Sequence, residues 1–569
     1  MSTPGTLQLA EVSRLPLWVI VGYLTLLLLL GAVSAVFFRG TSKDYFVASR
    51  SIGPFLLLMS VFGTTMTGFA LVGSSAKSFE LGVGVYGLMA SWSGLIHSAI
   101  FFVVGIKLWA IGKRYGYVTQ VQFFRDRFDS PTLGWILFPI LVALVIPYLL
   151  VGIIAACKTV GPITIGMFPE AFPDTRGSLP PWITALAVCF VVLCYVLFGG
   201  VRSAAWANTF QTIVFMIMGV TAFVLISDAL GGPAEASRMV LRESPENADR
   251  SQIGYLHFFS YFVIPLSVGM FPHLFQHWMT AKKAKTFRLT VVVHPLFMML
   301  VWVPCVIVGM WAAGLYASGG LAMPNVDNQM VVSVETDTGE PMQVRAKPNG
   351  EPVLNDAGEM VPASGARVNA NAALARLVAF LLDNPLLIGL LTAGILAAIM
   401  SSLDSQFVCL GTMFTNDVVS RVAGRERFSD RQMIWLARGF VLVIVAISYA
   451  LSLMLLNTNV FDLGVWCFTG FGCLFPLVFA ALYWRRATRA GAIACVLATV
   501  GTWGLFFWDD ILNKGDKVFG SPHNGEYLVL GMMPAIFIFS ASVLALVLVS
   551  LATKAPDEQA LHKFFPAKP

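Results

Sequence analysis

Charge is scarce in this chain: only 12% of its 569 residues are Asp, Glu, Lys or Arg, while 57% are hydrophobic. A soluble domain carries about 25% charged residues, so a water-facing globular fold of this length is excluded. The 37 Lys and Arg barely outnumber the 31 Asp and Glu, and they are scattered in short loops. With no basic patch, nucleic acid is not expected as a partner. All eight cysteines fall in apolar runs without a Cys-x-x-Cys pair, which argues against disulfides and a zinc site. No apolar run contains paired aspartates, His-Glu-x-x-His or Gly-x-Ser-x-Gly, so the partnered titratable groups of an intramembrane enzyme are missing. The residues after Ala552 are too few for an output domain, which argues against a sensor fused in this chain.

What is present is a succession of apolar runs of about 20 residues, the length that crosses roughly 30 Å of hydrocarbon. An all-α polytopic membrane protein is expected, multi-pass in the cell membrane, with the lipid bilayer as solvent. Thirteen spans are expected at 15–38, 52–73, 83–112, 132–158, 181–199, 204–230, 254–277, 289–317, 385–415, 433–456, 460–484, 490–508 and 529–552. The first lacks a small-residue cleavage pattern behind it and reads as a retained helix. The loops after the odd-numbered spans, with the C-terminal tail, hold 22 of the 37 Lys and Arg. By the positive-inside rule these loops are cytoplasmic, which puts the N-terminus outside and the C-terminus inside.

Two spans are interrupted in their middles. Span 2 reads MSVFGTTMTGFALVG, with Gly63 and Gly68, and span 7 reads YFVIPLSVGMFPHLF, with Pro265, Gly269 and Pro272. Glycine weakens a helix and proline removes a donor from it. One such break is unremarked in a membrane helix, but these two lie five spans apart. Five is odd, so spans 2–6 and 7–11 would run in opposite senses, the pattern of a five-plus-five inverted-repeat transporter with its site at the midplane. The expected organisation is an extra helix and first cytoplasmic loop (1–51), a first repeat (52–230), a second repeat (254–484), two peripheral helices (485–552) and a cytoplasmic tail (553–569). Within the second repeat, residues 318–384 form an extracellular insertion. Its Val-rich stretches alternate with Gly turns, which predicts a small hairpin followed by a short helix near Asn371–Leu382. It is either a gate or partner-binding cap, or a plain surface insertion.

The most polar stretch in any span is AAIMSSLDSQ, residues 397–406. A carboxylate at the bilayer centre costs at least a few kcal/mol, so Asp404 should face a cavity or a cation. Ser401 and Ser405 share a helix face, with Ser402 and Asp404 flanking it. Serines alone often bond their own backbone; beside a carboxylate they offer oxygens to a small hard cation.

AAIMSSLDSQF resembles the sodium-site helix of the sodium:solute symporter family, whose pattern runs Ala-x-x-Met-Ser-Ser/Thr-x-Asp-Ser-Gln. GGVRSAAWANTFQ (199–211) is similar to the family's Gly-Gly-x-x-Ala-Val-x-Trp-Thr-Asp-x-x-Gln signature, and FRGTSKDYFVASRSIGP (38–54) resembles its stretch before the first core helix. The resemblance covers the chain outside 318–384. It implies a leucine-transporter-like fold, alternating access, and Na+ as coupling ion for import of a small-molecule solute. It also implies a sodium site built from backbone carbonyls of Gly63, Met66 and Ala398 and the hydroxyls of Ser401 and Ser402. A second sodium site in some members would fall on Ser401, Asp404, Ser405 and Asn208. Here the chain departs from the signature, which has Asp where this chain has Asn208.

Solute is expected between the broken helices, near Thr64, Thr65, Phe69, Ser267 and Phe271, with Trp466–Gly472 closing the wall. Where sugar-carrying relatives have amide and acidic side chains, this chain has Thr65, Phe69 and Ala70. The reading leans to a carboxylate-bearing solute such as an amino acid, monocarboxylate or pantothenate; a sugar and proton coupling through Asp404 and His97 are the alternatives. His97 reads either as a proton or solute contact or as an imidazole bonded to a nearby serine (Ser91, Ser93, Ser98). His273 and His277 are expected at the interface, and Asp462 and Arg438 are expected to snorkel from span ends.

Overall fold

The structure is a computed structural model that describes residues 13–36, 40–325, 329–335, 341–347, 351–355, 358–363, 368–513, 515–523 and 526–565. Hydrocarbon offers backbone polar groups no partner, so each apolar run satisfies its own N–H and C=O groups by coiling. In chain order the main helices are α1 (Leu15–Val36), α2 (Pro54–Thr65), α3 (Phe69–Leu81), α4 (Gly84–Tyr115), α5 (Pro131–Ile163), α6 (Pro181–Leu197), α7 (Gly199–Ala229), α8 (Tyr255–Gly269), α9 (Pro272–Thr280), α10 (Ala284–Ala317), α11 (Pro385–Val422), α12 (Asp430–Met454), α13 (Val460–Tyr483), α14 (Arg489–Leu512) and α15 (Pro534–Ala552). Among the described residues, ten helices are long and apolar enough to cross a membrane, or twelve if each bent pair is one span. The last two residues of the first expected span lie outside the described residues.

The two interruptions are real bends, of 54° between α2 and α3 and 49° between α8 and α9. The fifth expected span is only the short α6, which runs into α7 through Gly200 (φ +59°, ψ −149°). Glycine is required there: a Cβ would lie 2.5 Å from the Tyr45 carbonyl oxygen. At its late end, α15 starts at Pro534 and not near 529, because Val529 and Met532 pair in a tight turn.

Burial sorts the helices. The most apolar windows of α5 and α11 are 78% buried and that of α13 is 83%, against 28–44% for the remaining long helices. These three therefore form the centre with the broken pairs, and the others present their apolar faces outward to lipid.

The insertion carries an antiparallel sheet in which Met330–Glu335 pairs with Pro341–Arg345, with Met323–Pro324 on the far edge of the first strand. The expected hairpin turn at 336–340 lies outside the described residues. A helix follows at 370–381, close to its expected place. A second hairpin, Ser521–His523 with Glu526–Leu528, was not expected.

That second hairpin completes a buried ion cluster and corrects the snorkelling reading of Asp462. Lys77 of α3, fully buried, lies 2.8 Å from Glu526, 3.3 Å from Asp462 and 3.8 Å from Glu80. Glu526 also meets His257 Nε2 at 2.7 Å. Burial raises the Glu526 carboxyl, but Lys77 and His257 outweigh it and hold the group well below its ordinary value of 4.5. Arg438 stacks on Trp435 and Tyr45, with its guanidinium carbon 4.9 and 5.9 Å from the ring centres.

Two stability outcomes follow from this packing. On α10, Gly309 touches α3 so closely that a Cβ would lie 2.3 Å from the Ser75 carbonyl oxygen, whereas Gly219 has nothing within 4 Å. Gly309→Ala should cost about 1–3 kcal/mol through overpacking and lower the melting temperature, with Gly219→Ala neutral or slightly stabilising; equal melting of the two variants would count against the close contact. Glu526→Gln removes the nearest of the three carboxylates around the buried Lys77 charge and should melt earlier than wild type at pH 7. Because the folded carboxyl is depressed, its contribution is present above 4.5 and is lost as pH falls below it, so the melting gap should hold from pH 7 to 5 and narrow further down.

Candidate ion and solute site

The site begins where α2 stops. The Met66 N–H still bonds the Phe62 carbonyl, but Met66 itself is extended (φ −90°, ψ 97°). Among the described residues, no backbone N–H then bonds the carbonyls of Gly63 or Met66. The chain restarts as α3 with Thr67 Oγ1 accepting from the Phe69 N–H at 3.0 Å. A helix end inside hydrocarbon needs outside partners for such carbonyls.

Helix α11 supplies one. Ser401 Oγ lies 2.8 Å from the Gly63 carbonyl oxygen and 2.8 Å from that of Ala398. Three of the five residues implied for the first sodium site are thus in direct contact, and all five are buried. Ser402 instead turns its hydroxyl to Ile399 O in its own helix, at 2.9 Å. The missing side chain at residue 63 concerns the packing on α7 instead: a Cβ would lie 2.5 Å from Thr212 Oγ1 but at an ordinary 3.6 Å from Ser401 Cβ.

The residues implied for the second site gather one turn along α11. Ser405 Oγ is the hub, 2.6 Å from Thr64 Oγ1, 2.9 Å from His277 Nε2 and 3.0 Å from Asp404 Oδ1. Asn208 of α7 fits this network with its amide nitrogen donating to Asp404 at 2.9 and 3.0 Å and its oxygen accepting from Ser405 at 2.9 Å. Tyr195 OH adds a bond to Asp404 Oδ2 at 3.3 Å. Among the described residues, no Lys, Arg or His lies within ion-pairing distance of Asp404. Its carboxyl group is surrounded by neutral partners.

Between the broken helices lies a cavity lined by four of the five expected solute residues, Thr65, Phe69, Ser267 and Phe271, together with His97. Thr64 is not among them, since its hydroxyl is turned to Ser405. Only about 30 Å³ is open to the centre of a water-sized sphere, room for one or two waters. Phe69 closes one side, stacked on Phe461 at 4.9 Å and edge-on to Phe468 at 4.8 Å. No lining residue is charged or carries a side-chain amide. Of the span 466–472 expected to close the wall, Phe468 does so, whereas Trp466 Nε1 turns to Asp510 at 2.8 Å.

The histidines differ from expectation. His273 and His277 are buried, not interfacial: α9 enters the bundle after the break, stacking His273 on Phe271 and bringing His277 to Ser405. His97 makes no bond through Nδ1 and lies 5.6 Å, ring centre to ring centre, from His294. The side chain of Ser91, one of the serines set beside it, is outside the description. Missed altogether was His294 of α10, whose Nε2 is 3.0 Å from Thr65 Oγ1. A histidine inside an apolar run carries the same desolvation signal as Asp404 and could have been found by it.

Comparison with known proteins agrees with this geometry. The family model for the sodium:solute symporter family matches residues 45–336 and 351–499. The chain is 25% identical over 562 residues to the sodium/proline symporter of Haemophilus influenzae, covering 95% of each chain. It is also 25% identical over 513 residues to the sodium/proline symporter of Escherichia coli, covering 86% of this chain and 88% of that one. In fold it is similar to a Na+-coupled sialic acid symporter in a substrate-bound outward-open state, with TM-score 0.69 and 14% identity over 96% of this chain and 99% of that one. With its apolar helices, its freed carbonyls at the α2 break and a model match over most of its length, this chain belongs to the sodium:solute symporter family and is a sodium-coupled membrane transporter.

Proposed function

We propose that the chain imports a small carboxylate-bearing solute of amino-acid size by alternating access, with its N-terminus outside and its C-terminus inside. The observation that carries this reading is the make-up of the cavity: its polar groups are hydroxyls, one imidazole and one indole N–H, with no carboxylate or amide among them, and its remainder is aromatic and aliphatic. Trp302 Nε1 is buried on its wall with no acceptor, and the hydroxyls of Thr65 and Ser267 share that wall. The start of α3 at the break adds the positive end of a helix dipole, although its first N–H groups, those of Phe69, Ala70 and Leu71, already bond Thr67. A carboxylate satisfies such donors, and the rings receive the carbon skeleton. A sugar would leave its own hydroxyl protons without the amide or carboxylate acceptors they need. The sodium/proline symporters among the relatives support the amino-acid end of this class.

Coupling follows from adjacency. Sodium held by the carbonyls of Gly63, Met66 and Ala398 and the hydroxyls of Ser401 and Ser402 would fix the α2 break in one shape, and the same break forms a wall of the solute cavity. Ion and solute then each favour the conformation the other binds, which is a coupling free energy between two sites. Asp404, Ser405 and Asn208 hold α11 to α7 beside that site; with both carboxylate oxygens already engaged, they act as its support in this conformation.

Purified protein in liposomes should accumulate L-proline, lactate or pantothenate only under an inward sodium gradient, and should ignore glucose. Ser401→Ala should raise the sodium concentration for half-maximal uptake by about tenfold or abolish uptake, the loss of one of few oxygen ligands. Uptake that is equal without sodium in wild type and variant would overturn the ion assignment. Trp302→Phe should raise the solute half-saturation by about tenfold while leaving the sodium requirement in place, as expected for one lost bond to a charged group; an unchanged half-saturation removes Trp302 from the solute site.

A further inference from the structure

A second cavity lies away from the transport site, under the inserted sheet. It is enclosed by the end of α5, the loop that follows it, the first two strands of the insertion and the residues after α12. It offers about 400 Å³ to the centre of a water-sized sphere, far more than the central cavity. Its wall carries two cations, Lys158 and Arg176, and no described lining residue is acidic. Neither cation makes a side-chain hydrogen bond or an ion pair among the described residues. Asn325, 2% exposed, lines the same cavity with its Nδ2 bonded to nothing. The unbonded Asn325 amide and the two partly buried cations line one cavity, none of them has a side-chain partner there among the described residues, and each group suits the same ligand, an oxyanion.

The surroundings are built to hold these groups. Arg176 sits in the left-handed region (φ +54°), and its carbonyl accepts from the Gly166 N–H at 2.9 Å. Phe168 N–H bonds Gly177 O at 2.8 Å, so the loop is cross-braced on both sides of the arginine. Asn325 is fixed through its Oδ1, which accepts from the Gln329 N–H at 2.7 Å, leaving the nitrogen end to the cavity. Burial first, and then the nearby Arg345, pull the Arg176 guanidinium below its ordinary value, as expected where positive charge is left uncompensated. Ile165, Pro162, Met330 and Leu456 form an apolar part of the wall, and Thr175, Ser178, Asn369 and Asn457 add neutral polar groups. Lys158 is ten residues beyond Tyr148 of the central cavity on the same helix, about 15 Å farther along.

We infer that this cavity binds a small organic carboxylate, its oxygens on Arg176, Lys158 and Asn325 Nδ2 and its hydrocarbon part on the apolar wall, independently of the transport site and of sodium. The size and the mixed lining select a carboxylate with a short carbon chain over a halide.

The full chain in phosphatidylcholine nanodiscs, in sodium-free buffer, is titrated with potassium hexanoate, with hexanamide as the neutral match. Hexanoate should bind and hexanamide should not. Arg176→Gln and Lys158→Gln should each weaken hexanoate by about tenfold or more, the usual cost of losing one charge-assisted bond. Ser401→Ala should leave it unchanged. Retained sodium-dependent thermal stabilisation in the Arg176 and Lys158 variants certifies that they are folded, and it also separates this test from that of the transport reading. Equal binding of hexanamide, unchanged binding in both cation variants, or loss of binding in Ser401→Ala would overturn the inference. Displacement of hexanoate when phosphatidylglycerol replaces phosphatidylcholine would overturn it in favour of a lipid headgroup.

Discussion

A backbone carbonyl inside a membrane protein must have a partner, and the architecture around the α2 break is organised by that requirement. Where the helix stops at Thr65, its last carbonyls lose their intrahelical donors. Water is the usual partner at a helix end, but here the surroundings are packed side chains. Ser401 answers the Gly63 carbonyl from 338 residues away in sequence. That single contact fixes the depth of α11 against α2, and it sets Ser405 opposite Thr64 one turn later. The missing side chain at residue 63 has a separate cause on α7, where a Cβ would press on Thr212 Oγ1.

The molecule keeps buried charge in two different ways. Lys77 is compensated by three carboxylates, one of them reached from a loop hairpin, so its cluster ties α3, α13 and the segment between α14 and α15 into one unit. Among the described residues Asp404 has no cation; it is surrounded by an amide, a phenol and a hydroxyl. The first arrangement is a clamp whose parts must separate if these elements part. The second is a neutral cradle whose donors can be exchanged one at a time. Lys77 stands on the second half of a broken pair, and Asp404 reaches the first half through Ser405 and Thr64.

Much of this was legible from the chain. The breaks in α2 and α8 announced themselves through Gly63, Gly68, Pro265 and Pro272, because helix weakening is a local property. The serines and Asp404 stood out because polarity inside an apolar run is also local. Thr65, Phe69, Ser267 and Phe271 could be assigned to one cavity because residues at a break line whatever space it opens. Thr64 could not be told from Thr65, since a bend of 54° decides which of two neighbours faces the solute space and which faces α11.

Partners were the illegible part. His277 reads as an interface residue from its place near the end of an apolar run, yet α9 turns inward and delivers it to Ser405. Asp462 reads as a snorkelling side chain until Lys77 and the Glu526 hairpin are brought beside it. The insertion reads either as a cap or as surface decoration, and only in the structure do its first strands line a cavity with two cations that have no side-chain partner among the described residues. The sequence by itself determined that the chain is a bundle of membrane helices, which of them break, and which carries a carboxyl group among hydroxyls, because hydropathy, helix propensity and the cost of a buried carboxylate all act over a few neighbouring residues. Only the tertiary structure decided which polar group answers which, because a hydrogen bond or ion pair depends on distance in space, and these pairs are closed by helices that meet far apart along the chain.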